Sequence, residues 1–121
     1  MVNVLFTATV AAADRDEQCS VVAIGNESQY LELQRSSQGL YVEVGSEAEP
    51  VGLHAGVECI SLSSKRLELC LTPAGCREFG SEARLHIPLR LSAAEVILLR
   101  ERLREITVDL IAFDEALVAA A

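Results

Sequence analysis

The sequence predicts an α+β fold in a single domain spanning residues 1–121. We expect a largely antiparallel β-sheet of about six to seven strands, a short helix, and a long C-terminal helix packed on one face of the sheet. Two observations predict this class. Segments of alternating apolar and polar residues, separated by turn residues, fill the chain as far as residue 91. A stripe of apolar residues at steps of three and four follows them.

Seven segments have the alternation that is typical of strands. They lie at about residues 2–10, 19–25, 30–35, 40–45, 57–62, 66–71 and 84–91. Residues 11–18 are expected to form a loop, and residues 45–56, with their Gly and Pro signals, the least structured stretch. Pro88 cannot donate to a β-ladder, so the last strand is expected at a sheet edge or with a bulge.

Two hairpins have a register that the sequence itself suggests. A turn at Ser64–Lys65 pairs Cys59 with Cys70 and places aliphatic residues together on one face. We expect free buried thiols at all four cysteines; a Cys59–Cys70 disulfide is the alternative, which a reducing cytoplasm would disfavour. In the other hairpin the loop is SSQG, residues 36–39. Its register predicts these facing pairs: Arg35 with Leu40, Gln34 with Tyr41, Leu33 with Val42, Glu32 with Glu43, and Leu31 with Val44.

Capping signals place both helices. Thr72 and Pro73 begin the short helix, and Gly80 ends it. Ser92 and Glu95 form a capping box that begins the second. The apolar stripe of that helix consists of Val96, Leu99, Leu103, Ile106, Leu110, Phe113 and Leu117.

The stripe predicts one helix over about residues 93–118. A break in the β-branched run 106–108, giving two helices or a helix and a strand, is the alternative. An unbroken helix would overhang a small sheet and expose apolar surface that a second chain could cover. We therefore expect a homodimer, unless the segment folds back on its own domain. The expected dimerisation residues are Leu110, Ile111, Phe113 and Leu117.

Charge and motifs narrow the function classes. The net charge of −8, concentrated in residues 1–50, disfavours nucleic acid and anionic membrane and favours a basic protein as partner. The chain has no apolar run of membrane-spanning length and no basic leader, so a cytoplasmic location is expected. No phosphate-binding glycine loop, nucleophile elbow or metal-ligand spacing occurs. We expect no enzyme, cofactor or metal; the alternative enzyme would use His54, in the 52–56 loop, as general base.

Three ordered motifs resemble a known family. They are Tyr-Leu-Glu-Leu-Gln-Arg at 30–35, Tyr-Val-Glu at 41–43 and Gly-Val-Glu at 56–58, followed by a hairpin with Leu-x-Leu arms and a leucine-rich acidic helix. Over about residues 29–106 the chain resembles the immunity protein 10 family of bacterial polymorphic toxin systems. The resemblance implies a protein that binds and neutralises a cognate toxin domain, without catalysis and without a cofactor.

The polar face of the 30–45 hairpin is the expected site. It holds both tyrosines of the chain, a residue type enriched at binding hot spots, and two directly opposed carboxylates that a cationic partner would relieve. The expected toxin-binding residues are Tyr30, Glu32, Gln34, Tyr41 and Glu43. The alternative is a plain solvated face, on which Arg84 or Arg90 from another strand neutralises the glutamates. A dimeric structural or adaptor protein is a further alternative.

Overall fold

The computed structural model describes residues 2–46, 50–80, 84–107 and 112–114 and confirms the α+β class. These residues form ten strands and two helices. The elements are β1 (Val2–Val4), β2 (Val10–Arg15), β3 (Cys19–Gly25), β4 (Tyr30–Ser36), β5 (Gly39–Gly45), β6 (Val51–His54), β7 (Val57–Leu62), β8 (Arg66–Leu71), α1 (Pro73–Phe79), β9 (Arg84–Pro88), α2 (Ala93–Ile106) and β10 (Ala112–Asp114).

The strands lie in two five-stranded sheets, where the sequence had predicted one sheet of six to seven strands. The first sheet has the order β1-β9-β8-β7-β10, and the second has the order β2-β3-β4-β5-β6. Eight strands pair antiparallel, as predicted, while β1 joins β9 and β10 joins β7 in parallel. Each sheet buries one face, which is why its strands alternate apolar and polar residues.

A single core joins the two sheets and α2. Val96, Leu99, Leu103 and Ile106 of α2 are buried in it, at the predicted helical spacing. The helix packs against β2, β3 and β4 of the second sheet. The fully buried large side chains come from both sheets and from α2: Leu31, Leu33, Val42, Ile60, Leu62, Leu67, Leu69, Leu85, Ile87, Leu99, Leu103 and Ile106.

Both predicted helix starts are confirmed. The Thr72 hydroxyl accepts from the Gly75 N–H at 3.1 Å, and Gly80 ends α1 in the left-handed conformation. Ser92 and Glu95 form the capping box of α2. The second carboxylate oxygen of Glu95 accepts the N–H of Ala11 at 3.0 Å, so one side chain also ties α2 to the edge strand β2. The backbone hydrogen bonds from Ser92 and Ala11 lower the pKa of Glu95. This stabilising contribution is therefore lost as the pH falls through that lowered pKa.

The prediction of one helix over 93–118 is wrong. Helix α2 ends at Ile106 with Thr107 as its C-cap, and the chain returns to the first sheet as β10. There Phe113 pairs with Ile60 of β7. The break lies in the β-branched run that the sequence marked as the weak point, because such residues lose rotamer freedom in a helix and favour strands. The helix-and-strand alternative is the correct one.

Three other strand predictions need correction. Residues 2–10 do not form one strand, because β1 and β2 belong to different sheets and the chain crosses between them. The expected loop 11–18 supplies most of β2, and the expected unstructured stretch 45–56 contains β6. Strand β9 is not at an edge, since it lies between β1 and β8. Pro88 is tolerated because it is the last residue of β9, where the ladder with β1 has already ended at His86.

The expectation of four free thiols is correct for two cysteines only. The register of β7 and β8 pairs Cys59 with Cys70, Ile60 with Leu69 and Leu62 with Leu67, as predicted. Cys59 and Cys70 are joined by a disulfide across this pair, and Cys19 and Cys76 are free. Both residues of the pair are half-buried, on the side of the first sheet opposite the core.

Candidate functional site

The predicted register of β4 and β5 is confirmed, and it places the expected site residues on one surface. Gln34 lies opposite Tyr41, Glu32 opposite Glu43, and Tyr30 opposite Gly45. The intervening residues are buried in the core, so the site residues occupy the other side of the second sheet. All five are half-buried. We call this surface the tyrosine–glutamate face, defined by Tyr30, Glu32, Gln34, Tyr41 and Glu43.

Glu43 is the centre of a hydrogen-bond network on this face. The Tyr30 hydroxyl donates to its Oε2 at 2.5 Å, and the Tyr41 hydroxyl donates to its Oε1 at 2.9 Å. Both carboxylate oxygens therefore accept a phenol. Hydrogen bonds to an ionised acceptor are the short, strong class, so they hold both tyrosine rings in fixed positions. The tyrosines are thus preorganised by the protein itself.

Two glycines let the tyrosine rings lie close to the sheet. A Cβ on Gly45 would overlap the ring of Tyr30, and a Cβ on Gly52 would overlap the ring and hydroxyl of Tyr41. An aromatic side chain that covers a glycine on a neighbouring strand shields the exposed backbone there. Each ring therefore has one face toward backbone and the other away from it. The sequence analysis missed both glycines, although the predicted register already placed Gly45 opposite Tyr30.

His54 lies beside the tyrosine–glutamate face rather than in an unstructured loop. It is on β6 opposite Tyr41, with the two ring centroids 5.0 Å apart and the rings tilted by 52°. Its side chain is exposed and makes no hydrogen bond to any described residue. A general base is normally oriented by a hydrogen-bond partner. In the described part of the chain, His54 has an aromatic neighbour in place of such a partner.

Gln34 is tied to the neighbouring strand β3. The Cys19 thiol points its weak donor at the Gln34 side-chain oxygen, with the sulfur 3.9 Å from that oxygen. Cys19 has no disulfide partner and is half-buried. The amide of Gln34 therefore keeps its N–H donors for other contacts.

The negative charge of the face is not neutralised by the described basic residues. Glu32 and Glu43 are direct cross-strand neighbours, and neither forms an ion pair with another described residue. Arg84, one of the two arginines expected to neutralise them, instead approaches Glu68 of the first sheet at 3.8 Å. Arg15 pairs with Glu105 at 2.9 Å. Like charges directly opposite are unfavourable in a sheet, so this arrangement invites an external cation.

The glutamate raises the pKa of both tyrosines. The Glu43 hydrogen bond is the main cause for Tyr30, with burial and the charges of Glu43 and Glu32 adding to it, and its pKa rises from 10.0 to about 12. The pKa of Tyr41 is raised by the same hydrogen-bond acceptor. Both phenols therefore stay protonated at neutral pH and remain donors. The charge of the face resides on the glutamates.

Alkaline titration should resolve this network, because the chain contains two tyrosines and no tryptophan. We expect phenolate absorbance to show one tyrosine titrating near pH 12. The stability that this raised pKa contributes is complete below pH 10 and is lost as the pH rises toward 12. Glu43→Gln should move the pKa of Tyr30 back toward 10.0, while Glu68→Gln, on the first sheet, should leave it unchanged. Two tyrosines titrating near pH 10 in the unmodified protein would contradict the network.

The expected dimerisation residues do not form a described surface. Leu110, Ile111 and Leu117 lie outside the described residues, and Phe113 belongs to β10. Helix α2 ends at Ile106, so the argument from an overhanging helix no longer applies. Among the described residues no group of three or more His, Cys, Asp and Glu side chains could hold a metal ion. No described helix has the length and apolar character to cross a membrane.

The chain was also compared with known proteins. It matches no protein-family model, and a search of curated proteins returned no match.

Proposed function

We propose that the chain is a non-catalytic binding protein whose tyrosine–glutamate face docks a cationic surface of another protein. The observation that carries this proposal is the directly opposed pair Glu32 and Glu43, which no described basic residue neutralises. A sheet that only needed solubility would gain from charge pairs across its strands, as Arg66, Glu68 and Arg84 provide on the first sheet.

The proposed partner is a cognate toxin domain with a basic surface. The ordered motifs that resemble the immunity protein 10 family support this assignment, and two of the three motifs supply site residues at 30–35 and 41–43. The net charge of −8 favours encounter with a basic protein. Fixed tyrosine rings add contact area at little entropic cost. In this proposal the protein acts in the cytoplasm, where it would meet a toxin before harm is done.

Two other functions have less support. A dimeric adaptor built on the C-terminal helix loses its argument, because α2 ends at Ile106. An enzyme using His54 would need a group that orients the imidazole, and the nearest described partner is the Tyr41 ring. Neither observation adds a ligand pocket or a reacting pair, whereas the tyrosine–glutamate face combines charge, aromatic surface and preorganisation in one place.

Co-expression with the toxin encoded beside this gene tests the proposal. We expect the unmodified protein to protect cells from that toxin and to co-purify with it. Tyr41→Ala removes a fixed ring from the face and should weaken binding by more than about 1 kcal/mol, as hot-spot tyrosines do. Glu58→Ala, an exposed residue of β7 in the first sheet, is the control and should bind normally. Full affinity in Tyr41→Ala would show that the toxin docks elsewhere.

A further inference from the structure

The two carboxylates of the tyrosine–glutamate face have different duties. Glu43 gives both of its oxygens to phenols and so holds the rings. Glu32 makes no hydrogen bond or ion pair with another described residue, although it is half-buried. Its two oxygens can accept a bidentate donor from outside. Glu32 is therefore the acceptor that the face offers to a partner, and Glu43 is the residue that shapes the surface around it.

The tyrosine rings flank this free acceptor. Glu32 is two residues from Tyr30 on β4 and diagonal to Tyr41 across the β4–β5 pair, and it acts electrostatically on both phenols. Each ring covers a glycine with one face, which leaves its opposite face for a ligand. A free carboxylate beside fixed aromatic faces suits a cation that is flat, donates two parallel hydrogen bonds, and can stack.

We propose that this face receives an arginine side chain of the partner protein, with the guanidinium donating to both oxygens of Glu32 and stacking on a tyrosine ring. The inference rests on the proposed function and names the partner's anchoring group. A lysine fits less well, because its ammonium is a compact, strongly hydrated charge that cannot make the paired, planar contact. Arginine is also the basic residue that is enriched at binding hot spots.

Intrinsic fluorescence can test the inference without the toxin. Both tyrosines of the chain lie on this face and the chain has no tryptophan, so tyrosine emission reports on the face alone. The probes are the peptides acetyl-Gly-Arg-Gly-amide and acetyl-Gly-Lys-Gly-amide at low ionic strength. We expect a saturable change with the arginine peptide in roughly the millimolar range. The lysine peptide should bind at least about threefold more weakly.

Two variants and one concentration series make the result decisive. Glu32→Gln keeps the shape but removes the charge and should abolish the arginine response, while Glu58→Gln, on the first sheet, should retain it. Equal affinity for the two peptides, or an unchanged response in Glu32→Gln, would overturn the inference. Emission that changes with protein concentration alone would mean that a second copy covers the face, and would also overturn it.

The failure of this inference can be distinguished from failure of the proposed function. If Tyr41→Ala weakens toxin binding but the two peptides bind equally, the face docks the toxin through another group and only the arginine assignment is wrong. If toxin binding ignores Tyr41→Ala, the proposed function is wrong whichever peptide binds.

Discussion

The double variant Glu32→Lys/Glu43→Lys is expected to lose toxin binding by at least about 3 kcal/mol, roughly a hundredfold in affinity. Three effects combine. The partner's cationic surface would meet two positive charges in place of two negative ones. The free acceptor at residue 32 would disappear. Both tyrosine hydroxyls would lose their shared acceptor at Glu43, so the rings would no longer be fixed.

The control must change the same amount of charge elsewhere. Glu58→Lys/Glu101→Lys does so, since both glutamates are exposed and lie on β7 and α2, away from the tyrosine–glutamate face. We expect this control to bind the toxin with a small loss that disappears at high salt, because only long-range attraction is reduced. Calorimetric titration at two ionic strengths measures both variants. Equal losses in the two variants would mean that overall charge, and not this face, determines affinity.

Glu43 is a less selective single substitution than Glu32. The sequence analysis treats the two as equivalent acids on a solvated face. In the structure Glu43 anchors both tyrosines, so its replacement changes shape and charge together. Glu32 can be changed without disturbing any described hydrogen bond. Single variants at residue 32 therefore report on charge, and single variants at residue 43 report mainly on ring position.

The largest expected effect on stability is that of Leu103→Ala. Leu103 is 0% exposed and lies in the core between α2 and the second sheet. Truncation removes buried apolar surface and leaves a cavity, which should lower the free energy of unfolding by about 3 kcal/mol. Urea denaturation should show a lower midpoint with an unchanged slope, because the fold is retained.

Ile97→Ala on the same helix is the matched control. Ile97 is 47% exposed, so its truncation leaves no cavity and should change stability by no more than about 0.5 kcal/mol. Toxin binding should be normal in both variants under conditions where they are folded, because neither side chain reaches the tyrosine–glutamate face. Similar stability losses for Leu103→Ala and Ile97→Ala would contradict the assignment of the buried side of α2.

Local sequence signals determined the parts of the fold that depend on neighbouring residues. The Ser92–Glu95 capping box, the Thr72–Pro73 helix start and the Gly80 end are contacts within one turn, so short motifs identify them. The two hairpin registers are also local, because turn length and the alternation of Leu31 and Leu33 fix which residues face each other. The composition of the tyrosine–glutamate face follows directly from that register.

The tertiary structure decided what no local pattern contains. The apolar stripe continues to Leu117 in the sequence, but the helix stops at Ile106, because the free edge of β7 offers β10 backbone partners. The same competition assigns β1 and β2 to different sheets. At the site, the sequence marked Glu32 and Glu43 as equals. Only three-dimensional packing, with Tyr30 over Gly45 and Tyr41 over Gly52, brings two phenols onto one carboxylate and leaves the other free. Hydrogen-bond partners at this range depend on where whole strands lie, and that depends on burying both sheets in one core.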